Sequence, residues 1–309
     1  MARYIARRLL SGILTLWVIA SLTFFMSRAI PGGPFDSDKQ LPPAILENLN
    51  KKYHLDWPIW KQYLDYMWRL IKWDLGPSFR YANQTVNEII AQGFPVSAQL
   101  GLMALGVAVV LGISAGIISA LRQYRWQDHL AMTLATLGFS VPSFILGSIL
   151  IYIFSYRLGW LPASRWGTWD RAIMPVLALS AFPTSFIARL VRSSMLEVLQ
   201  QDYMKAARAK GMPGYILIYR HALKNAILPV ITFLGPLSAQ ILTGSFVIET
   251  IFAIPGMGRT FVTSIANRDY TLIMGVTMFY SVLLVAANLI VDLLYAVVDP
   301  RIKVAGGGE

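Results

Sequence analysis

Cysteine is missing from all 309 residues, which excludes a disulfide framework, a thiolate metal site and a cysteine nucleophile while leaving the redox compartment open. Histidine is scarce, and His54, His129 and His221 stand too far apart to suggest an imidazole metal cluster. Charged residues make up only 14% against 56% hydrophobic ones, and the mean hydropathy of +0.54 excludes a soluble domain of this size. No lysine precedes a serine or threonine, so the chain carries no G-x-x-x-x-G-K-S/T phosphate loop, and the zinc-protease pattern H-E-x-x-H is absent. No cofactor is implied. The charge that is present is lopsided, 27 Lys plus Arg against 16 Asp plus Glu, a formal net charge of +11. It lies mostly between apolar runs, so it marks membrane topology and not a nucleic-acid-binding face.

Six runs of roughly 20 apolar residues are long enough to cross a hydrocarbon layer about 30 Å thick as helices. They fall near 9–28, 97–121, 130–156, 172–191, 226–248 and 272–298. The first follows Arg3, Arg7 and Arg8 as a signal peptide would, but it reaches Arg28 without a small-residue cleavage pattern and is expected to stay attached. The stretch 189–224 holds Arg189, Arg192, Lys205, Arg208, Lys210, Arg220 and Lys224 against only Glu197 and Asp202, and Arg122 with Arg125 follows the second run. This bias places those loops and both termini in the cytoplasm. It is moderate, because Arg157, Arg165, Arg171, Arg259 and Arg268 fall on the other side. The expected division is an N-terminal membrane helix at 1–30, an external amphipathic segment at 31–95, a five-helix core at 96–300 with a cytoplasmic loop at 192–225, and a flexible cytoplasmic tail at 301–309.

Within the external segment, Asp56 can cap a helix with Pro58 in its first turn, and Trp60, Tyr63, Leu64, Met67, Trp68 and Ile71 recur at helical spacing. Such a helix lies at the membrane interface or packs on the bundle. Ala104, Ala108, Gly112, Gly116 and Ala120 put small residues on one face of the second run, which permits close approach of another helix. Gly112 to Gly116 also matches G-x-S-x-G, but Ser114 sits inside an uninterrupted apolar helix with no histidine at membrane depth, which argues against a serine hydrolase. Pro142, Pro175 and Pro183 bend helices that border a cavity. Asp292, one turn after Asn288, is the clearest ionisable residue within a run and must face protein or water.

The segment from Glu197 to Pro229 is the most informative. Asp202 can cap a short basic helix through Lys210 that Gly211 terminates, followed by Pro213 and Gly214. Clamped between two membrane runs, this helix is a handle for anionic lipid or for a groove on a partner. Lys205-Ala206-Ala207, then Gly211, resembles the E-A-A-x-x-x-G cytoplasmic loop of ABC importer permeases, with Lys in place of Glu as in the peptide-permease branch. The similarity continues through ARRLL at 6–10, LDWPIWKQYLDYMWRLIKWDLGPSF at 55–79, SVPSF at 140–144, RLVRSSMLEVLQQDY at 189–203, VIETIFAIPGMGRTFVTSIANRDY at 247–270 and DPR at 299–301. The chain is similar to B-type membrane subunits of dipeptide and oligopeptide permeases, and PGGPFDSDKQLPP favours the oligopeptide form.

The resemblance implies an all-α integral membrane protein with six transmembrane helices in the type I ABC importer permease fold, set in the bacterial inner membrane. It implies a second, homologous permease, two ATPase subunits and an external peptide-binding protein as partners, in addition to the bilayer itself. Asp202, Tyr203, Lys205, Ala206, Ala207, Arg208, Lys210 and Gly211 are then the candidate ATPase-coupling residues. A peptide pathway needs polar relief for backbone groups that would otherwise go unpaired. Ser140, Ser143, Ser238, Gln240 and Thr243 can supply it without strong fixed charge. An ion-coupled secondary transporter is the rival, although no convincing inverted repeat is visible. Related cargo such as nickel chelates is a further alternative.

Overall fold

The computed structural model describes residues 2–30, 33–35, 42–81, 83–242 and 245–298. Thr243 and the tail 301–309 lie outside the described residues, as does the side chain of Asp292. Helix dominates because it satisfies every backbone donor and acceptor within its own segment, which a hydrocarbon surrounding demands. Among the described residues the one strand-like pairing is an isolated bridge between Pro77 and Thr85. In chain order come α1 (Ala2–Ala29), α2 (Pro43–Lys52), α3 (Ile59–Ile71), α4 (Val86–Leu121) and α5 (Trp126–Ser140). Next, α6 (Ser143–Leu150) runs into a π-helical stretch at Ile151–Arg157, followed by α7 (Trp169–Leu199) and α8 (Asp202–Ala209). The short α9 (Gly214–Ile216) leads through π-helical Leu217–Ala222 into α10 (Leu223–Ala226), and α11 (Leu228–Leu242), α12 (Phe246–Ile251), α13 (Met257–Ala266) and α14 (Tyr270–Val298) complete the chain.

The centre of the molecule is the pairing of α4 with α7. Ala104, Ala108, Gly112, Gly116 and Ala120 are all buried. A Cβ at Gly112 would stand 2.8 Å from the Ile187 Cβ, and one at Gly116 would stand 2.6 Å from the Val191 Cβ and 2.7 Å from the Ala188 carbonyl oxygen. Position 112 thus faces 187 and 116 faces 191, so the two helices run parallel. The return leg between them is α5 with α6: Asp128 pairs with Arg192, while Gly138 meets Ser185 and Ala181. α11 touches α4 where the Ile241 carbonyl approaches Gly101, and α14 runs from Gly275 beside Val86 to Val285 beside Gly12 of α1. The chain therefore passes six times between two ends, one carrying α8 and the other α3, α12 and α13.

Four of these legs, α1, α4, α7 and α14, are single helices long and apolar enough to cross a membrane. The third leg, expected as one helix over 130–156, is instead broken at Val141–Pro142, with a 107° change of direction between its halves. Pro142 has no N–H to give and forces the preceding residue extended, so the α5 ladder ends there and α6 starts afresh. The fifth leg, α11, has only 15 residues, about 22 Å of helix, and leans on α10 immediately before it. α4 begins at Val86, eleven residues ahead of the expected run, because Thr85 and Glu88 form a reciprocal capping box. Asp56 does not cap α3, whose first turn starts at Pro58 without a side-chain cap.

Leu10, Ile13, Trp17, Val110 and Leu134 are among the large apolar side chains left exposed on α1, α4 and α5, as a lipid-facing surface requires. α3 lies across the end of α1: Tyr63 and Tyr66 pack on Phe24, while Trp60, Leu64, Trp68 and Ile71 face outward.

Candidate functional site

Two features stand at the α8 end. The first is α8 itself, two turns that begin at an extended Gln201, with Asp202 in the first turn and Arg208 in the last. That order suits the helix dipole. Asp202 is thus not the cap that its position suggests; its carboxylate instead accepts from Lys205 Nζ at 2.9 Å on an exposed surface. Such a pair contributes little to stability. Gly211 closes the helix at φ +76°, its N–H donating to the Arg208 carbonyl and that of Met212 to the Ala207 carbonyl. A left-handed residue at this position is cheapest as glycine.

One side chain fixes α8 to the bundle. Met204 is buried among Met195 of α7, Leu217 and Ala222, and Ala207 packs against the same cluster. Tyr203 Oη accepts from Asn225 Nδ2 at 2.7 Å, a second tie across the loop. Ala206, Arg208, Ala209 and Lys210 face outward and Gly211 is open, so the free face combines small residues with positive charge. Ala206 and Ala207, both candidate coupling residues, are divided: Ala207 packs on the chain's own core and Ala206 faces the exterior.

The second feature was not visible in the sequence. Asp128, 4% exposed, accepts two hydrogen bonds from Arg192 at 2.8 Å each, one from the Ser119 hydroxyl and one from the Tyr124 N–H at 3.0 Å. This bidentate pair binds the ends of α4, α5 and α7 beside α8. Arg192 counts as one more basic loop residue when read linearly, and the acid that claims it lies far back in the chain.

The candidate pathway residues occupy two places. Ser140 and Ser143 flank the 107° bend, Ser140 exposed and Ser143 half-buried. On α11, Ser238 donates to the Gly235 carbonyl at 2.7 Å and Gln240 is exposed. Ser114 is exposed within α4 with no strained turn beneath it. At the opposite end, buried Glu249 of α12 accepts from Ser97 Oγ of α4 at 2.7 Å and from the Arg259 N–H at 3.1 Å. Burial pushes its carboxyl pKa up, while those hydrogen bonds pull it down. Asp269, also buried, accepts from the Ser78 hydroxyl and the Phe79 N–H, which ties the 76–85 loop to the start of α14. Among the described residues no group of three or more His, Asp or Glu could hold a metal ion.

The chain matches two family models: the binding-protein-dependent transport system inner membrane component over residues 112–304, and the N-terminal part of such membrane components over 1–101. It is 48% identical over 303 residues to the dipeptide transport system permease protein DppB of Bacillus subtilis, covering 98% of each chain. It is 46% identical over 305 residues to the oligopeptide transport system permease protein OppB of Escherichia coli K12, covering 98% of this chain and all of that one. A crystal structure of an amino acid ABC transporter shares the fold at a TM-score of 0.54 and 16% identity, over 67% of this chain and 93% of that one. The parallel α4–α7 core, the six alternating legs and these matches together place the chain in the family of binding-protein-dependent transport system inner membrane components, as a multi-pass permease of the ABC importer type.

Proposed function

We propose that the chain forms half of the pathway of an ATP-driven peptide importer, most closely suited to oligopeptides, and couples to an ATPase subunit through α8. The observation that carries this reading is α8: a two-turn basic helix, free on its outer face and pinned by Met204 to the cluster that joins α7 to α10 and α11. A displacement of α8 is thereby passed to two membrane legs at once, because a close-packed cluster transmits strain. In this reading the α8 end and both termini are cytoplasmic, and the basic residues of 189–224 agree with that side. The chain holds no phosphate loop, so hydrolysis takes place on the partner.

The dipeptide and oligopeptide relatives support the cargo class. Peptide passes between this chain and a homologous permease, past α11 and the bend at Pro142, while the end with α3, α12 and α13 receives a peptide-loaded binding protein. Ala206→Asp and Gly211→Asp place a carboxylate on the docking face without touching Met204. Both should abolish peptide-stimulated ATP hydrolysis and uptake in proteoliposomes while membrane insertion and assembly of the two permeases stay normal. Full coupling in both variants would remove α8 from the ATPase interface.

A further inference from the structure

Arg28, in the last turn of α1, lines a partly open cavity of about 140 Å³ bordered by α1, α3, the flanking loops and the start of α14. Its Nε and Nη2 both donate to Gln62 Oε1, at 2.9 and 2.6 Å, and its guanidinium carbon lies 4.1 Å from the Phe24 ring centroid. Among the described residues the buried Nη1 has no partner. The buried Tyr66 hydroxyl, lining the same cavity, likewise has no partner among the described residues. Burial pushes its pKa up, so it remains a protonated donor.

The acceptors nearby are already committed. Asp65 accepts from Arg69 at 2.9 Å, and Asp74 accepts from the Gly76 N–H at 3.0 Å with Arg69 at 3.8 Å. Gln62 Oε1 is occupied by Arg28 itself, and Gln62 Nε2 donates to the Leu55 and Trp57 carbonyls. Among the described residues the cavity therefore presents a permanent cation and a hydroxyl, both lacking an acceptor, and no uncommitted carboxylate to neutralise them. A buried charge is stable only with a counterion or full hydrogen bonding.

We propose that this cavity binds a phosphate group, with Arg28 Nη1 and Tyr66 Oη as donors. Phosphate suits the site because its oxygens point in several directions and can take donors from α1 and α3 together, and because a guanidinium fork matches its geometry. Two sources share this chemistry, a phospholipid headgroup and free phosphate. Exposed Leu22, Phe25 and Met26 beside Arg28 offer an apolar surface for acyl chains, which favours the lipid.

The test uses the full chain reconstituted in nanodiscs of phosphatidylcholine and phosphatidylglycerol, then transferred to neutral detergent for native mass spectrometry. A parallel arm titrates inorganic phosphate into delipidated protein and follows its melting temperature. Wild type should retain one phosphate-bearing ligand, and Arg28→Gln should weaken retention about tenfold, as loss of a charge-assisted hydrogen bond predicts. Tyr66→Phe, which removes only a hydroxyl, should weaken it less and serves if the arginine variant fails to fold. Retained phospholipid that inorganic phosphate does not displace identifies the headgroup as occupant. A phosphate-dependent melting shift that requires Arg28 identifies the free anion. Retention unchanged in both variants, or no ligand in either arm, would show that the cavity holds only water and overturn the proposal.

Discussion

Asp128 and Arg192 show how much a single pair decides at the end of a bundle. The carboxylate is almost wholly enclosed and has four donors, two of them on one guanidinium. Arg192→Gln should therefore cost about 2 to 4 kcal/mol, because it strands a buried charge. Asp128→Asn, which keeps one acceptor and leaves unpaired only the more exposed Arg192, should cost less. Thermal unfolding of the detergent-solubilised chain measures both, and an arginine variant as stable as wild type would show that the pair is incidental. This contact was illegible in the sequence for a plain reason. Side chains far apart along the chain meet only once α5 has folded back along α7, and linear reading sees Arg192 as one basic loop residue among several.

Elements built from local repetition were legible. The small residues from Ala104 to Ala120 announce a helix face at four-residue spacing, and that face is the one α7 occupies. Gly112→Leu or Gly116→Val should separate α4 from α7 and cost about 1 to 3 kcal/mol or more through overpacking. Gly106, also in α4 but with open space where its Cβ would lie, provides the control: Gly106→Ala should be neutral or stabilising by up to about 1 kcal/mol. Equal losses at all three positions, read as melting temperature and yield of folded protein, would refute close packing as the reason for the glycines. α8 was legible for a related reason, since a basic run stopped by glycine and then proline is a helix with its terminus written in. Its orientation was not. Which alanine faces outward depends on Met204 finding the cluster beneath α7, a tertiary fact. Likewise Pro142 marked a bend, but its 107° angle is set by what the two halves pack on, Ser185 against Gly138 and Phe252 against Gly147.

At the scale of the whole molecule, six alternating legs leave a large apolar surface on one chain and a basic handle at one end. α1 is hardly buried, and much of α4 and α5 also faces outward, so an apolar surrounding is needed to complete the structure. The chain carries no phosphate loop, while α8 is pinned through Met204 to the cluster that joins α7 to α10 and α11. The central claim is thus a division of labour, with the pathway here and the energy source on a partner joined through α8. Uptake of a labelled oligopeptide into proteoliposomes tests it most directly. The account predicts uptake only when the second permease, the ATPase subunits, the binding protein and ATP are all supplied together, and its loss with Gly211→Asp. Uptake by this chain alone, driven by an ion gradient without ATP, would contradict it.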